Sequence, residues 1–155
     1  MEHVSLNDLE NAGQWASVTK RFGEPLALSD SALNYYELEP GESTAYGFHT
    51  HENQEEVFYV QAGELTFRTA GGDVTVGAGE FARFGPGEFQ RSHNEGEETA
   101  VVLAVGAPRD AGETAIQREC EACGEPTGHH VELASDRDAV VAVCEVCGSA
   151  TGRYE

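Results

Sequence analysis

Two patterns in the chain predict an all-β protein, built as a β-barrel followed by a small module organised around four cysteines. Between residues 32 and 105, short runs with alternating apolar side chains follow one another, which is the period-2 pattern of half-buried strands. From Gly106 the alternation stops, and Cys120, Cys123, Cys144 and Cys147 mark a second unit.

Along the chain, residues 1–27 read as an N-terminal arm. Ser5 stands three residues before Asp8, and Leu6, Leu9 and Ala12 fall near one face, so a short helix is expected over residues 5–14. Residues 28–106 form the expected barrel, with strand-like runs at 32–38, 44–51, 56–61, 64–69, 73–76, 80–84, 90–94 and 99–105. Turn residues separate them, among them Pro40-Gly41, Ala62-Gly63, Ala78-Gly79 and Gly85-Pro86-Gly87. Thr69-Ala-Gly-Gly-Asp-Val74 signals a hairpin with a two-residue turn. Strands of this number and spacing suggest an antiparallel sandwich or barrel, and a jelly roll fits the count. Residues 107–118, punctuated by Pro108 and Gly112, read as a linker. Residues 119–155 form the cysteine module, with strand-like runs at 130–133 and 139–143.

Charge limits the partners. The 28 acidic side chains oppose nine cationic ones, a net charge of -19, and Lys20 is the only lysine. Such a surface repels nucleic acid and anionic membranes, which need cationic groups against phosphate. An acidic, lysine-poor surface also suits a halophilic protein from a salt-loaded cytoplasm, because molar salt cuts the Debye length to about 3 Å and screens self-repulsion. The melting temperature is then expected to rise from dilute buffer to molar KCl; an unchanged value would contradict the halophilic reading. The first residues show no basic or apolar leader segment, and no apolar run approaches the ~20 residues of a membrane span. A cytoplasmic protein is expected.

Candidate chemistry concentrates at His49 and His51, which share a face of one strand because side chains alternate. Glu56 shares a face with Phe58 and Val60 on the next strand, so an inward-facing apolar wall would bring its carboxylate to the histidines. Two imidazoles and one carboxylate make a metal site with open coordination positions. Glu55 has the wrong parity for this role.

The spacing His49-x-His51-x4-Glu56-x6-Gly63 resembles the first signature of the cupin family of small β-barrels. The leading glycine of that signature falls on Ser43 here, with Gly41 two residues early. The second cupin signature is matched at Gly79, Gly87 and Asn94, but Gly85 takes the proline position and Gln90 takes that of the third histidine. The resemblance, over about residues 28–105, implies a double-stranded β-helix barrel, a divalent metal (Fe, Mn, Zn or Ni), a small-molecule ligand or substrate and a homodimer. Gln90 offers an amide oxygen, a weaker and harder donor than imidazole. It is carried as a further ligand of the His49, His51 and Glu56 site, or as a hydrogen-bond partner of metal-bound water. A barrel pocket without metal is the remaining alternative.

Cys120-Glu-Ala-Cys123 and Cys144-Glu-Val-Cys147 are two C-x2-C pairs with 20 residues between them, each followed by glycine. That spacing lies at the upper edge for a four-thiolate zinc site, and the unit resembles a zinc ribbon. Disulfides are disfavoured in a reducing cytoplasm, and a redox dithiol needs a βαβ context that is missing here. Residues 109–155 hold 10 acids against 4 arginines, so a protein contact suits the ribbon better than nucleic acid. The expected protein is a metal-binding cupin that binds or transforms a small oxygenated molecule, by oxygenase, isomerase or decarboxylase chemistry if it is an enzyme. The alternative is a non-catalytic sensor that relays ligand state to a protein partner through the ribbon.

Overall fold

The computed structural model describes residues 1–13 and 16–154, which build thirteen strands in two antiparallel sheets. The strands are β1 (Val18–Arg21), β2 (Ala32–Leu38), β3 (Phe48–His51), β4 (Glu55–Ala62), β5 (Glu64–Thr69), β6 (Gly72–Gly77), β7 (Phe81–Phe84), β8 (Gln90–His93), β9 (Ala100–Ala107), β10 (Thr114–Cys120), β11 (Glu125–Leu133), β12 (Val140–Cys144) and β13 (Ala150–Tyr154). One sheet runs β1-β2-β9-β4-β7, and the other runs β13-β12-β11-β10-β3-β8-β5-β6. No helix among the described residues is long and apolar enough to cross a membrane.

Alternation places the core between the sheets. Leu38, Phe58, Val60, Leu65, Phe67 and Val102 are almost fully buried, and Phe58, Phe67 and Phe84 form an aromatic triad with ring centroids 5.0 to 6.1 Å apart. Phe84 pairs directly with Glu56 across β7 and β4, so this apolar floor lies next to the expected carboxylate ligand.

The N-terminal arm differs from expectation. Only Leu6–Asp8 form a 3-10 turn, capped by the Ser5 hydroxyl, and none of its residues is buried. The Asn11 side chain instead gathers a loop, accepting from the backbone N–H of Gly13 and Thr19 and donating to the Ser17 carbonyl. A side chain that bonds nearby backbone competes with helix formation. Gln14, the last residue of the expected helix, lies outside the described residues. The arm also contributes β1, which pairs with β2.

The stretch expected as a linker carries most of β10. This strand pairs with β3 over Thr114↔His51, Ala115↔Thr50, Ile116↔His49 and Gln117↔Phe48, whereas β3 meets β8 only at His49↔Gln90. An open β3 edge would leave backbone groups unpaired, and β10 satisfies them. The barrel sheet therefore continues into the cysteine module. Arg118 ties the junction, donating to the carbonyls of Tyr46 and Thr151 and to the Tyr154 hydroxyl.

Candidate metal centres

β3 and β4 bring the sequence-singled residues together. The Nε2 atoms of His49 and His51 lie 3.9 and 3.5 Å from Glu56 Oε2, and the three side chains can offer ligand atoms all within 4.8 Å of one another. Each imidazole is fixed from behind. His49 Nδ1 donates to the Gly47 carbonyl at 3.0 Å, which leaves Nε2 as the lone-pair atom facing Glu56. His51 Nδ1 is 3.0 Å from the Thr114 hydroxyl, on β10. Such support fixes ring orientation and tautomer in metal sites. Glu55 faces the other way, paired with Arg83 at 2.6 Å.

Gln90 lies beside the cluster and is 2% exposed. Its Nε2 donates to Glu56 Oε2 at 3.0 Å and lies 3.3 Å from His49 Nε2. Its Oε1 is buried with no hydrogen-bond partner among the described residues. Leaving a buried acceptor unpaired costs about 1–3 kcal/mol. A half-turn of the amide would swing Oε1 toward the imidazoles, where a cation would satisfy it. The donor set, the preset tautomer and the orphaned oxygen together fit a divalent ion.

The electrostatics agree with a neutral imidazole and an ionised carboxyl. Burial holds His49 below its ordinary value of 6.5, outweighing the Gly47 carbonyl and the Glu56 charge. Burial alone would raise Glu56, but His51, His49 and Gln90 outweigh it and the carboxyl sits below its ordinary 4.5. With both groups depressed in the folded state, the unfolded chain takes up protons first, so their contribution to stability is lost as pH falls, from 6.5 downward for His49 and from 4.5 downward for Glu56. In the metal-free protein, acidification from about pH 7.5 to about pH 5.5 is expected to cost the wild type more stability than His49→Gln, read from urea midpoints. Parallel losses in the two proteins would contradict this.

The four cysteines also converge. Their sulfurs lie within 4.8 Å of one another, with Cys120–Cys147 at 3.5 Å and Cys123–Cys144 at 3.9 Å. Four thiolates at 2.3 Å from one zinc would stand about 3.8 Å apart, far beyond disulfide length. Each pair sits on a tight turn, with Gly124 N–H donating to the Cys120 carbonyl and Gly148 N–H to that of Cys144. Gly124 and Gly148 take φ of 75° and 74°, the left-handed region where other residues are strained. The Thr127 hydroxyl, 3.1 Å from Cys144, holds that thiol down to about 6, while its neighbours, Cys147 foremost, push Cys123 up to about 12. Ionising all four thiols together calls for a cation among them.

Two residues join these centres without having been singled out as site residues. Thr114 lay in the stretch read as linker, where adjacent Ala115 and Ile116 break any alternation that would signal a strand. His129, 2% exposed, pairs across the sheet with both Ile116 and Cys144, its Nδ1 on the Thr127 carbonyl. A cavity of about 450 Å³ borders His51 and is lined also by Phe89, Glu113, Thr114, Ile116 and His129.

Comparison with known proteins agrees with the barrel geometry. Residues 34–106, just under half of the chain, match the family described as Cupin domain, Cupin_2. An oxalate-binding protein of Thermotoga maritima is 37% identical over 68 residues, covering 44% of this chain and 54% of that protein, so the chain spans about half the length of this curated relative. Among solved structures, the polyketide cyclase RemF from Streptomyces resistomycificus superposes with a TM-score of 0.64 at 22% identity, covering 78% of this chain and 88% of that one. A sugar phosphate isomerase from a cupin superfamily, from Silicibacter pomeroyi, gives 0.61 at 20% identity over 96% and 91% of the two chains. At such identities these likenesses concern the fold alone. Taken together, the barrel has the double-stranded β-helix fold of cupins, and residues 34–106 are similar to the Cupin domain family.

Proposed function

We propose that the barrel holds one divalent metal through His49, His51 and Glu56 and uses it to bind or transform a small carboxylate-bearing molecule, while the four cysteines hold a structural zinc. The observation that carries this reading is the convergence of two preset imidazoles and an ionised carboxylate at the edge of an apolar barrel interior. A divalent ion at such a site supplies Lewis acidity and open positions for chelation by substrate oxygens. The protein's own part is positional. Gln90 closes the site beside Glu56 and His49, Gly47 and Thr114 orient the imidazoles, and Phe58, Phe67 and Phe84 keep water from the inner side. The Thermotoga maritima relative makes oxalate the first probe. Calorimetric titration should show an oxalate-binding event in the metal-loaded protein that the metal-stripped protein lacks; identical oxalate binding by both would refute the proposal.

The Thr114 contact gives a sharper expectation. Thr114→Val keeps the shape but removes the hydroxyl behind His51, and loss of such support typically weakens metal binding by about 10–100-fold. Thr114→Ser should restore most of it. Competition against a chromophoric chelator measures both; an unchanged affinity in Thr114→Val would remove Thr114 from the site.

A further inference from the structure

The face of the eight-stranded sheet behind the candidate ligands carries a second feature. Side chains alternate on β3 and β8, so His49 and Gln90 face the barrel while Phe48 and Arg91 face away from it. There Phe48, Arg68, Arg91, Gln117 and Arg118 line a groove of about 970 Å³ that reaches Thr151 on β13. Three of the nine cationic side chains of a chain with net charge -19 thus meet in one place.

Their arrangement is unfavourable without a counter-charge. Arg68 and Arg91 stand directly opposite each other in the β5–β8 register, where like charges repel. Arg68 has Asp73 at 3.6 Å, on its other side. Arg91 is half-buried, its side chain forms no hydrogen bond or ion pair among the described residues, and its Nε is a buried donor without a partner. Burial, then the charges of Arg118 and Arg68, hold Arg91 below its ordinary value. Arg118 spends its Nη atoms on Tyr46, Thr151 and Tyr154, so its positive charge meets no carboxylate there. Glu119 and Glu121 line the end of the groove near Cys120, and neither forms an ion pair with these arginines among the described residues. A charged group withdrawn from water needs a partner, and guanidinium forks suit the paired oxygens of phosphate and carboxylate.

We propose that this groove is a binding site for a small oxyanion, a phosphate- or carboxylate-bearing ligand seated against Arg91 and Arg68 under the added charge of Arg118. The site lies on the far side of β3 and β8 from the candidate metal and does not depend on that metal being bound. Phe48, stacked near Phe89 with ring centroids 5.2 Å apart, offers an apolar surface to the rest of the ligand. The negative charge of the whole chain does not forbid this, because at about 0.1 M salt charges beyond roughly 10 Å are largely screened.

The test is calorimetric titration of the full chain with inorganic phosphate and with succinate, at constant ionic strength set by chloride. Saturable binding of at least one probe is expected, and the probe that binds tells phosphate from carboxylate recognition. Arg91→Gln should weaken it by about tenfold or more, the usual consequence of losing a charge-assisted pair. Arg153→Gln, which alters the separate Arg153–Asp136 pair, should leave it unchanged. No saturable binding of either probe, or equal affinity in Arg91→Gln, would overturn the proposal. Thermal melting in anion-poor buffer gives an independent reading. Arg91→Gln should melt no lower than the wild type, since it relieves the opposition to Arg68. A lower melting temperature would mean that Arg91 already has its counter-charge within the protein, and would equally overturn the site.

Discussion

Cys120→Ser is expected to unfold the cysteine module and to loosen the barrel edge with it. The buried side chains between residues 119 and 154 are small or polar, Cys120, Thr127, His129, Ala134, Ala139, Ala142 and Cys144, while Leu133 and Val146 are exposed. Apolar burial on that scale does not hold about 35 residues together, so the proposed zinc would supply the stability; apparent zinc-binding energies in small domains reach about 10–16 kcal/mol. Cys120 is also the last residue of β10, whose first half forms most of the backbone pairing of β3. Hydrogen exchange read by mass spectrometry should show β11, β12 and β13 losing protection in the variant, with a smaller loss along β3 and β10. Protection unchanged in the module would contradict a metal-dependent fold. Loss confined to the module would separate it from the barrel.

His51→Ala has the second large effect. It removes one of the three proposed ligands and leaves Glu56 without its nearer imidazole partner, at 3.5 Å in the wild type. Outer support alone is worth about 10–100-fold in metal affinity, so removal of a direct ligand should exceed that range. Chelator competition should show the barrel ion bound at least a hundredfold more weakly than in the wild type, with the cysteine-bound zinc retained. Undiminished affinity would mean that the ion is held elsewhere.

The sequence made the barrel legible because alternation is a strong signal when one face of each strand is buried, as in Leu65-Thr-Phe67 or Val60 beside Phe58. The candidate barrel residues were legible for the same reason, since parity alone separates Glu56 from Glu55. Three features were harder to see. Helix spacing in the arm was overridden by Asn11, whose side chain bonds backbone on both sides of the loop. β10 was hidden because Pro108 and Gly112 announce a linker, while its pairing partner β3 lies more than sixty residues earlier in the chain and becomes a neighbour only after folding. Arg91 stands out in neither composition nor motif spacing. Its opposition to Arg68 is a matter of register, which composition does not reveal.

Metal content per chain, by plasma mass spectrometry on untagged protein, decides whether both centres hold ions when it is compared for the wild type, His51→Ala and Cys120→Ser. One zinc and one further divalent ion are expected in the wild type, with only the further ion lost in His51→Ala and the zinc lost in Cys120→Ser. A wild type that carries zinc alone, removed entirely by Cys120→Ser, would mean that the barrel holds no metal. A further ion retained in His51→Ala would contradict the assignment of its ligands.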